Sequence, residues 1–274
     1  QTISLCDVIR LELVPSGIEL SCTIPGVPLD ESNLVSRAFT AMREASGYEG
    51  GVRIDIEKHI PPGSGLGGGS SNAAATLAAL NRMPEFGLPQ DRLTEIAGGL
   101  GADVPFFLTG GLAAAWGIGD KMISLPQPAE SFLLVAIPRG ISVSTPTAYS
   151  MIEAGACGDY DPNNFDDCTE NLKARSHALG AGSQLHTAVE DEPPLHNSLE
   201  KPVFARHPEI ARLKEAMIEA GAIGAMMSGS GSSVFGLAAS ESDALGIMDK
   251  LQKLADCDCF VVSTTGSGHR DIKE

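Results

Sequence analysis

Apolar and polar positions alternate with a period of two in some stretches of this chain and recur every three or four residues in others. These are the marks of strands and of helices. Leu11 and Leu13 alternate ahead of Pro15-Ser16-Gly17, and Ile18, Leu20, Cys22 and Ile24 alternate behind it, which predicts a β-hairpin. Leu34, Val35, Ala38, Phe39 and Met42 fall on one helical face, with Asp30 or Ser32 as the cap. Val52-Arg53-Ile54-Asp55-Ile56-Glu57-Lys58 alternates as a strand, placed at 52–60. A helix over about 71–82 follows, then a second after Pro89 with Leu93, Ile96, Ala97 and Leu100 as its buried face. Residues 110–125 read as two short strands around Gly117-Ile118-Gly119-Asp120, and Trp116 reads as a core residue.

Pro126-Gln127-Pro128 breaks this pattern, and the apolar run Phe132-Leu133-Leu134-Val135-Ala136-Ile137-Pro138 opens a fresh strand behind it. The expected domains are therefore 1–128 and 129–274. In the second half, helices at about 146–154, 207–220 and 241–255 are interleaved with strands at 222–227, 233–238 and 258–263, an α+β arrangement. The stretch 155–195 is rich in Gly, Asp, Asn and Ser and reads as an exposed loop. No internal repeat is evident.

Composition narrows the function classes. A chain of 274 residues with 43% hydrophobic content has room for two ordinary domains with real cores. No apolar run reaches the roughly 18 residues of a membrane span, and the first residues lack the basic-then-apolar layout of a signal peptide. A cytoplasmic protein is the expectation. The net charge of −16 argues against nucleic acid and acidic membranes as partners. It also means that an anionic substrate must be held by local donors against the field of the whole chain, which a magnesium ion would ease. Cys6, Cys22, Cys157, Cys168, Cys257 and Cys259 show no C-x-x-C pair and no zinc spacing, and the six histidines form no ligand group, so no protein metal site is expected. Cys257-x-Cys259 has two readings, a metal-binding pair or packing residues on a strand, and packing is expected.

The densest chemical signal is the run from Pro61 to Ala75. Five of the seven positions from Gly63 to Gly69 are glycine, followed by Ser70, Ser71 and Asn72 at the mouth of a helix. A strand, a glycine loop and a helix N-terminus make an anion cradle, because bare backbone lets N–H groups approach phosphate oxygens and the helix end adds unpaired donors and a positive dipole end. Ser70 and Ser71 are expected to cap the helix or to bond the same anion. Gly63, Gly65 and Gly68 satisfy the dinucleotide fingerprint, but that motif wants an acid on a second strand about 20 residues on. Here Met83-Pro84-Glu85-Phe86-Gly87-Leu88-Pro89 is a helix stop and a loop. A Walker loop needs Gly-Lys-Ser/Thr at its end, and none follows any glycine run. What remains is a loop of serines and helix dipole whose ligand is a nucleotide polyphosphate. Pro62, Gly63, Ser64, Gly65, Leu66, Gly67, Gly68, Gly69, Ser70, Ser71 and Asn72 are its candidate residues.

Three ordered segments resemble the GHMP kinase superfamily: Ile60-Pro61 with Gly65 to Ala74, then Gly101-Ala102-Asp103-Val104-Pro105-Phe106-Phe107, then Met227 to Gly236. The triple glycine before Ser-Ser-Asn is most similar to the branch that phosphorylates the 2-hydroxyl of a cytidine diphosphate sugar alcohol in non-mevalonate isoprenoid precursor synthesis. Homoserine and mevalonate kinases usually carry a shorter G-L-G-S-S form. The resemblance implies a two-domain fold, with an N-terminal domain like domain 2 of ribosomal protein S5 and a ferredoxin-like C-terminal domain. It implies an enzyme using ATP and Mg2+ on a small molecule, as a monomer or homodimer.

From spacing alone, Asp103 is either a buried helix cap or a functional carboxylate; the resemblance implies the catalytic base. It also implies that Lys58 and Asn33 lie near the adenine, against a solvated strand residue and a helix cap respectively. Thr145 and Tyr149 fall where the family holds cytidine. Tyr149 would stack on the pyrimidine or else be an ordinary buried aromatic. Gly229, Ser230, Gly231 and Ser232 are expected to support the site, and Asn197 likewise. The family's first strand bears a lysine ahead of the segment matching Thr2 to Leu5, and no such strand stands here, so the sequence is expected to be a piece of a longer protein. Two alternatives stay open: another GHMP small-molecule kinase of homoserine or mevalonate type, and a nucleotide-binding relative without turnover.

Overall fold

In the computed structural model, which describes residues 1–117, 119, 121–152 and 195–272, the chain divides into two units. Gln1–Pro62, Gly67–Ser124 and Thr265–Glu274 make the first; Gly63–Leu66 and Leu125–Thr264 make the second. The first unit begins with β1 (Thr2–Ile3), β2 (Val8–Val14), β3 (Ile18–Cys22), helix α1 (Leu34–Ser46) and β4 (Gly51–Glu57). Its sheet has the order β2-β4-β3, with β2 antiparallel and β3 parallel to β4.

The hairpin expected from the alternation around Pro15-Ser16-Gly17 is therefore not formed. β2 and β3 flank β4 instead of pairing with each other. The cause lies at the turn, where Val52 N–H donates to the Gly17 carbonyl at 2.9 Å. A side chain at Gly51 would run into the backbone of Ser16 and Gly17. Val52, Ile54 and Ile56 are fully inside, whereas β2 and β3 are half exposed. The strand whose side chains are most deeply buried thus takes the place where both edges are paired.

Val35, Ala38, Phe39 and Met42 face the core from α1, as their spacing predicts. The cap is Asn33, whose Oδ1 accepts from Val35 N–H at 3.1 Å, and not Asp30 or Ser32. Asp30 is used one turn earlier, accepting from the N–H and hydroxyl of Ser32. Helix α2 (Gly68–Asn81) is buried through Asn72, Ala73, Ala74, Thr76, Leu77, Ala78 and Leu80, the all-round burial of a central helix. Helices α3 (Gln90–Leu100) and α4 (Val104–Thr109) pack on it, and the antiparallel pair β5 (Ala113–Trp116) and β6 (Lys121–Ser124) belongs to the same unit.

In the second unit β7 (Phe132–Pro138) is a continuous apolar strand inside an antiparallel sheet of order β10-β7-β9-β8, with β8 (Ala225–Met227), β9 (Val234–Ala238) and β10 (Cys257–Thr265). Helices α5 (Thr145–Ser150), α6 (Glu200–Arg206), α7 (Pro208–Glu219) and α8 (Glu241–Leu254) complete it. Ile210, Leu213 and Met217 of α7 and Ala244, Ile247 and Leu251 of α8 close over Leu134 and Ala136 of β7. Apart from α6, which the periodicity does not predict, these are the expected helices and strands, and the mixed α+β class holds for the described residues. The loop read at 155–195, with Cys157, Cys168, His177 and His186, lies outside the described residues apart from its last position, as do Ile118, Asp120 and the side chain of Trp116. Among the described residues no helix is long and apolar enough to cross a membrane.

Candidate active site

Helix α2 begins at Gly68, three residues before the expected start, and this changes the work of its serines. Gly67 is the N-cap, in the left-handed region at φ 68°, and no side chain caps the helix. Ser70 and Ser71 stand in the first turn and do not cap it; Ser71 Oγ donates back to the Gly68 carbonyl at 2.9 Å. The first intrahelical bond runs from Ser71 N–H to the Gly67 carbonyl at 2.8 Å. The N–H groups of Gly68, Gly69 and Ser70 are left without acceptors inside the helix, at the positive end of its dipole. No acid stands in that first turn to oppose an anion. A side chain at Gly67 would come 2.7 Å from the Phe107 ring, and one at Gly68 would come 3.0 Å from Lys58 Nζ and 2.9 Å from Ile60. Gly69 is exposed at the helix mouth and Asn72 is buried.

Lys58 is not a solvated strand residue. Its side chain is 6% exposed and its ammonium donates to Asp7 Oδ2 at 2.5 Å and to the Ile60 carbonyl at 2.6 Å. Asp7, fully buried at its side chain, also accepts from the N–H groups of His59 and Ile60 at 2.7 and 2.8 Å. One carboxylate thus fixes both the lysine and the chain that leads into the glycine loop, and one positive charge is held close to Gly68. Sequence reasoning missed Asp7 because its partners lie 51 to 53 positions away and no local motif marks it.

Asp103 precedes α4, with φ −83° and ψ −15°, and its side chain makes no cap bond. The residue is exposed, and its carboxylate has no hydrogen bond or ion pair among the described residues. The buried-cap reading therefore falls, and the carboxylate stands open to solvent. α4, which follows Asp103, packs on α2 within the same unit. Asn33 uses both ends of its amide at the head of α1, accepting from Val35 N–H and donating one N–H to the Pro28 carbonyl at 2.7 Å.

The rest of the loop belongs to the second unit. Pro62 is exposed at the end of a first-unit segment, and Gly63 stands beside Ser142. Buried Ser64 accepts from Ser233 N–H at 3.0 Å through its carbonyl, and the Gly65 carbonyl accepts from Ser228 Oγ at 3.0 Å. Gly65 has φ +77°, and a side chain there would strike the Ser228 carbonyl and come 2.7 Å from that of Gly231. Leu66 is half-buried. Gly229 approaches the Gly65 carbonyl, Ser230 Oγ meets Thr145 Oγ1 at 3.0 Å, Gly231 N–H donates to the Ser228 carbonyl at 2.9 Å, and Ser232 Oγ donates to Ile141 at 2.8 Å. Among the described residues Ser233 Oγ is buried without a partner. Asn197 secures the same turn, donating to the carbonyls of Met227 and Gly229 at 2.8 Å each, while Glu200 accepts from Met227 N–H. Tyr149 is 60% exposed, so it is not the buried aromatic that its helix also allowed.

Comparison with known proteins identifies the fold and the family. Residues 33–111 match the GHMP kinases N terminal domain and residues 177–257 the GHMP kinases C terminal domain. The 4-diphosphocytidyl-2-C-methyl-D-erythritol kinase of Gloeobacter violaceus is 37% identical over 98% of this chain and 85% of its own length. That of Acaryochloris marina is 38% identical over 96% of this chain and 86% of its own. A solved 4-(cytidine 5'-diphospho)-2C-methyl-D-erythritol kinase superposes with a TM-score of 0.73 at 36% identity, covering 96% of this chain and 88% of its own. A homoserine kinase from Cytophaga hutchinsonii, at 24% identity and a TM-score of 0.71, shares the two-domain fold. With both of the family's domains matched in order and relatives above a third identical along almost its entire length, this chain belongs to the GHMP kinases.

Proposed function

We propose that this chain transfers the γ-phosphoryl group of ATP to the 2-hydroxyl of 4-diphosphocytidyl-2-C-methyl-D-erythritol, a step toward isoprenoid precursors. The carrying observation is the 37% identity, over 98% of the chain, to a kinase named for that substrate. The open N-terminus of α2 supports the ATP half. Its free N–H groups at Gly68, Gly69 and Ser70 and the nearby ammonium of Lys58 suit the phosphate oxygens and the charge that develops on the moving group. Asp103 accepts the hydroxyl proton as the substrate oxygen attacks the γ-phosphorus and the bond to ADP breaks. Thr145 and Tyr149 are the proposed cytidine contacts, Tyr149 offering an exposed ring for stacking.

Magnesium fits the hard oxygen donors that this reading brings together. Ser70 is the candidate hydroxyl, since it makes no hydrogen bond among the described residues and Ser71 is committed to Gly68. Held there, magnesium would supply neutralisation of phosphate charge in a chain of net charge −16. A cytoplasmic location goes with two phosphorylated substrates that do not cross a bilayer unaided.

ADP release by the full chain tests the proposal. Turnover is expected with the cytidine substrate, ATP and magnesium together. Asp103→Asn is expected to lower kcat by about 10²- to 10⁴-fold with ATP affinity retained. Turnover with homoserine or mevalonate in place of the cytidine compound would overturn the substrate, and ATP binding with no ADP release would overturn the activity.

A further inference from the structure

Cys257 and Cys259 stand two residues apart on β10, so the pleat turns both thiols to the same face of the strand. Their sulfurs lie 3.5 Å apart. Cys257 is part of the second unit's core, 5% exposed, and Cys259 packs half-buried against that core. The antiparallel register on β7 holds both ends of the pair, with Cys257 opposite Pro138 and Cys259 opposite Ala136.

Two thiols this close either join directly or close on one atom between them, and the strand discriminates. Same-face neighbours on a paired strand have Cα atoms about 6.6 Å apart. A disulfide prefers about 5.5–6 Å, with Cβ atoms near 3.8 Å. Direct S–S bonding therefore asks the strand to draw in toward the long end of the disulfide range and the two Cβ atoms to approach, whereas a bridging atom leaves the backbone where it is. A structural zinc ion takes four ligands, and no group of three or more His, Cys, Asp or Glu able to hold a metal occurs among the described residues. The pair suits an electrophile that needs two sulfurs and no more.

The surroundings give that electrophile access. A surface cavity of about 470 Å³ opens beside Cys257, its wall including Arg139, Lys253 and Leu254, a leucine 61% exposed. Arg139 is held there by Asp256 and Asp258 at 2.8 and 2.7 Å. The hydrogen bond between them holds the Cys257 thiol below its ordinary range and the Cys259 thiol above it, so Cys257 is the sulfur that attacks first.

We propose that Cys257 and Cys259 form a two-point binding site for trivalent arsenicals, with the organic group of an arsine oxide R–As=O in the cavity beside Cys257. The chemistry balances without a redox partner. Two As–S bonds form, the As=O bond breaks, and the oxygen leaves as water with both thiol protons. Arsenic stays trivalent throughout.

Titrating the reduced full chain with phenylarsine oxide, followed by intact mass and peptide mapping, tests this. One phenylarsine group per chain is expected on the peptide that holds residues 257 and 259, with two free thiols lost and both restored by ethanedithiol. Cys259→Ser, at the less buried position, and Cys257→Ala, which keeps a small apolar atom in the core, are each expected to weaken binding by about 10²-fold or more through loss of the second contact. Circular dichroism checks that both variants fold. The double variant Cys157→Ser/Cys168→Ser is expected to bind as before. Binding that survives in Cys259→Ser, or that maps to other cysteines, would overturn the site. A Cys257–Cys259 disulfide forming in full when the folded protein meets oxidised glutathione would overturn the preference for a bridging atom.

Discussion

Asp7→Ala is the perturbation with the largest reach in the first unit. It leaves the Lys58 ammonium at 6% side-chain exposure with no counter-charge and takes the acceptor from the N–H groups of His59 and Ile60. Breaking a buried ion pair from one side costs about 3–5 kcal/mol. Two stranded N–H groups would add about 1–3 kcal/mol each if kept dry. Water admitted by the smaller side chain relieves part of both, so about 4 kcal/mol is the expected loss. At about 2–4 °C per kcal/mol for a chain of this order, Tm falls by roughly 10 °C. Asp7→Asn keeps an oxygen for the two N–H groups and loses only the charge, so about half that cost is expected. Asp7→Asn/Lys58→Met removes both charges and should recover most of the loss. Urea unfolding followed by circular dichroism gives the energies, and amide exchange at His59 and Ile60 assigns them to this unit even where unfolding has two steps. A cost under about 1 kcal/mol for Asp7→Ala, or a double variant no more stable than Asp7→Asn, would refute the reasoning.

Gly65→Ala places a side chain on a left-handed residue against the Ser228 and Gly231 carbonyls, so at least a tenfold loss of kcat/KM is expected in ADP release. Gly87→Ala is the control, with φ +54° but open space around it, and should cost about 1 kcal/mol of stability with activity unchanged. Tyr149→Ala removes a ring that is 60% exposed; stability should stay within about 0.5 kcal/mol. If the ring stacks on cytosine, KM for the cytidine substrate should rise about 5- to 100-fold while KM for ATP holds, with Tyr149→Phe behaving as the parent. Ser233→Ala deletes a buried hydroxyl that has no partner among the described residues, so thermal unfolding without ligand should be unchanged or up to about 1 kcal/mol more favourable to the folded state. A loss of 2 kcal/mol there would mean that the hydroxyl is bonded after all.

Periodicity carried the helices and strands because each is written in neighbouring residues: the face of α1 and the continuous run of β7 need no distant partner to be recognised. Pairing is different. Nothing within Leu11 to Ile24 says that β4 will enter between β2 and β3, since the deciding contact joins Gly17 to Val52. Asp7 and Lys58 are hidden for the same reason. Choices among residues of equal local aptitude also escape sequence: Asp30, Ser32 and Asn33 are all good caps, and only the path of the chain selects Asn33.

The glycine run shows how a motif can be legible while its parts are not. Read as composition, Gly63 to Gly69 is one phosphate loop. In the fold each glycine answers to a different constraint. Gly65 is required by the backbone carbonyls of Ser228 and Gly231 in the second unit. Gly67 is required by its left-handed φ and by the Phe107 ring in the first, and Gly68 by Lys58 and Ile60 beside it. Those same neighbours explain why the helix starts at Gly68, against the poor helix propensity of two consecutive glycines. Tertiary space, filled by an aromatic ring and a tethered lysine, decides the start. The three N–H groups opened for an anion are therefore set by Phe107, Lys58 and Asp7 as much as by the loop itself. A substitution at Asp7 should consequently raise KM for ATP even though the carboxylate is buried away from any ligand, and an unchanged KM in a folded Asp7→Asn variant would break that link.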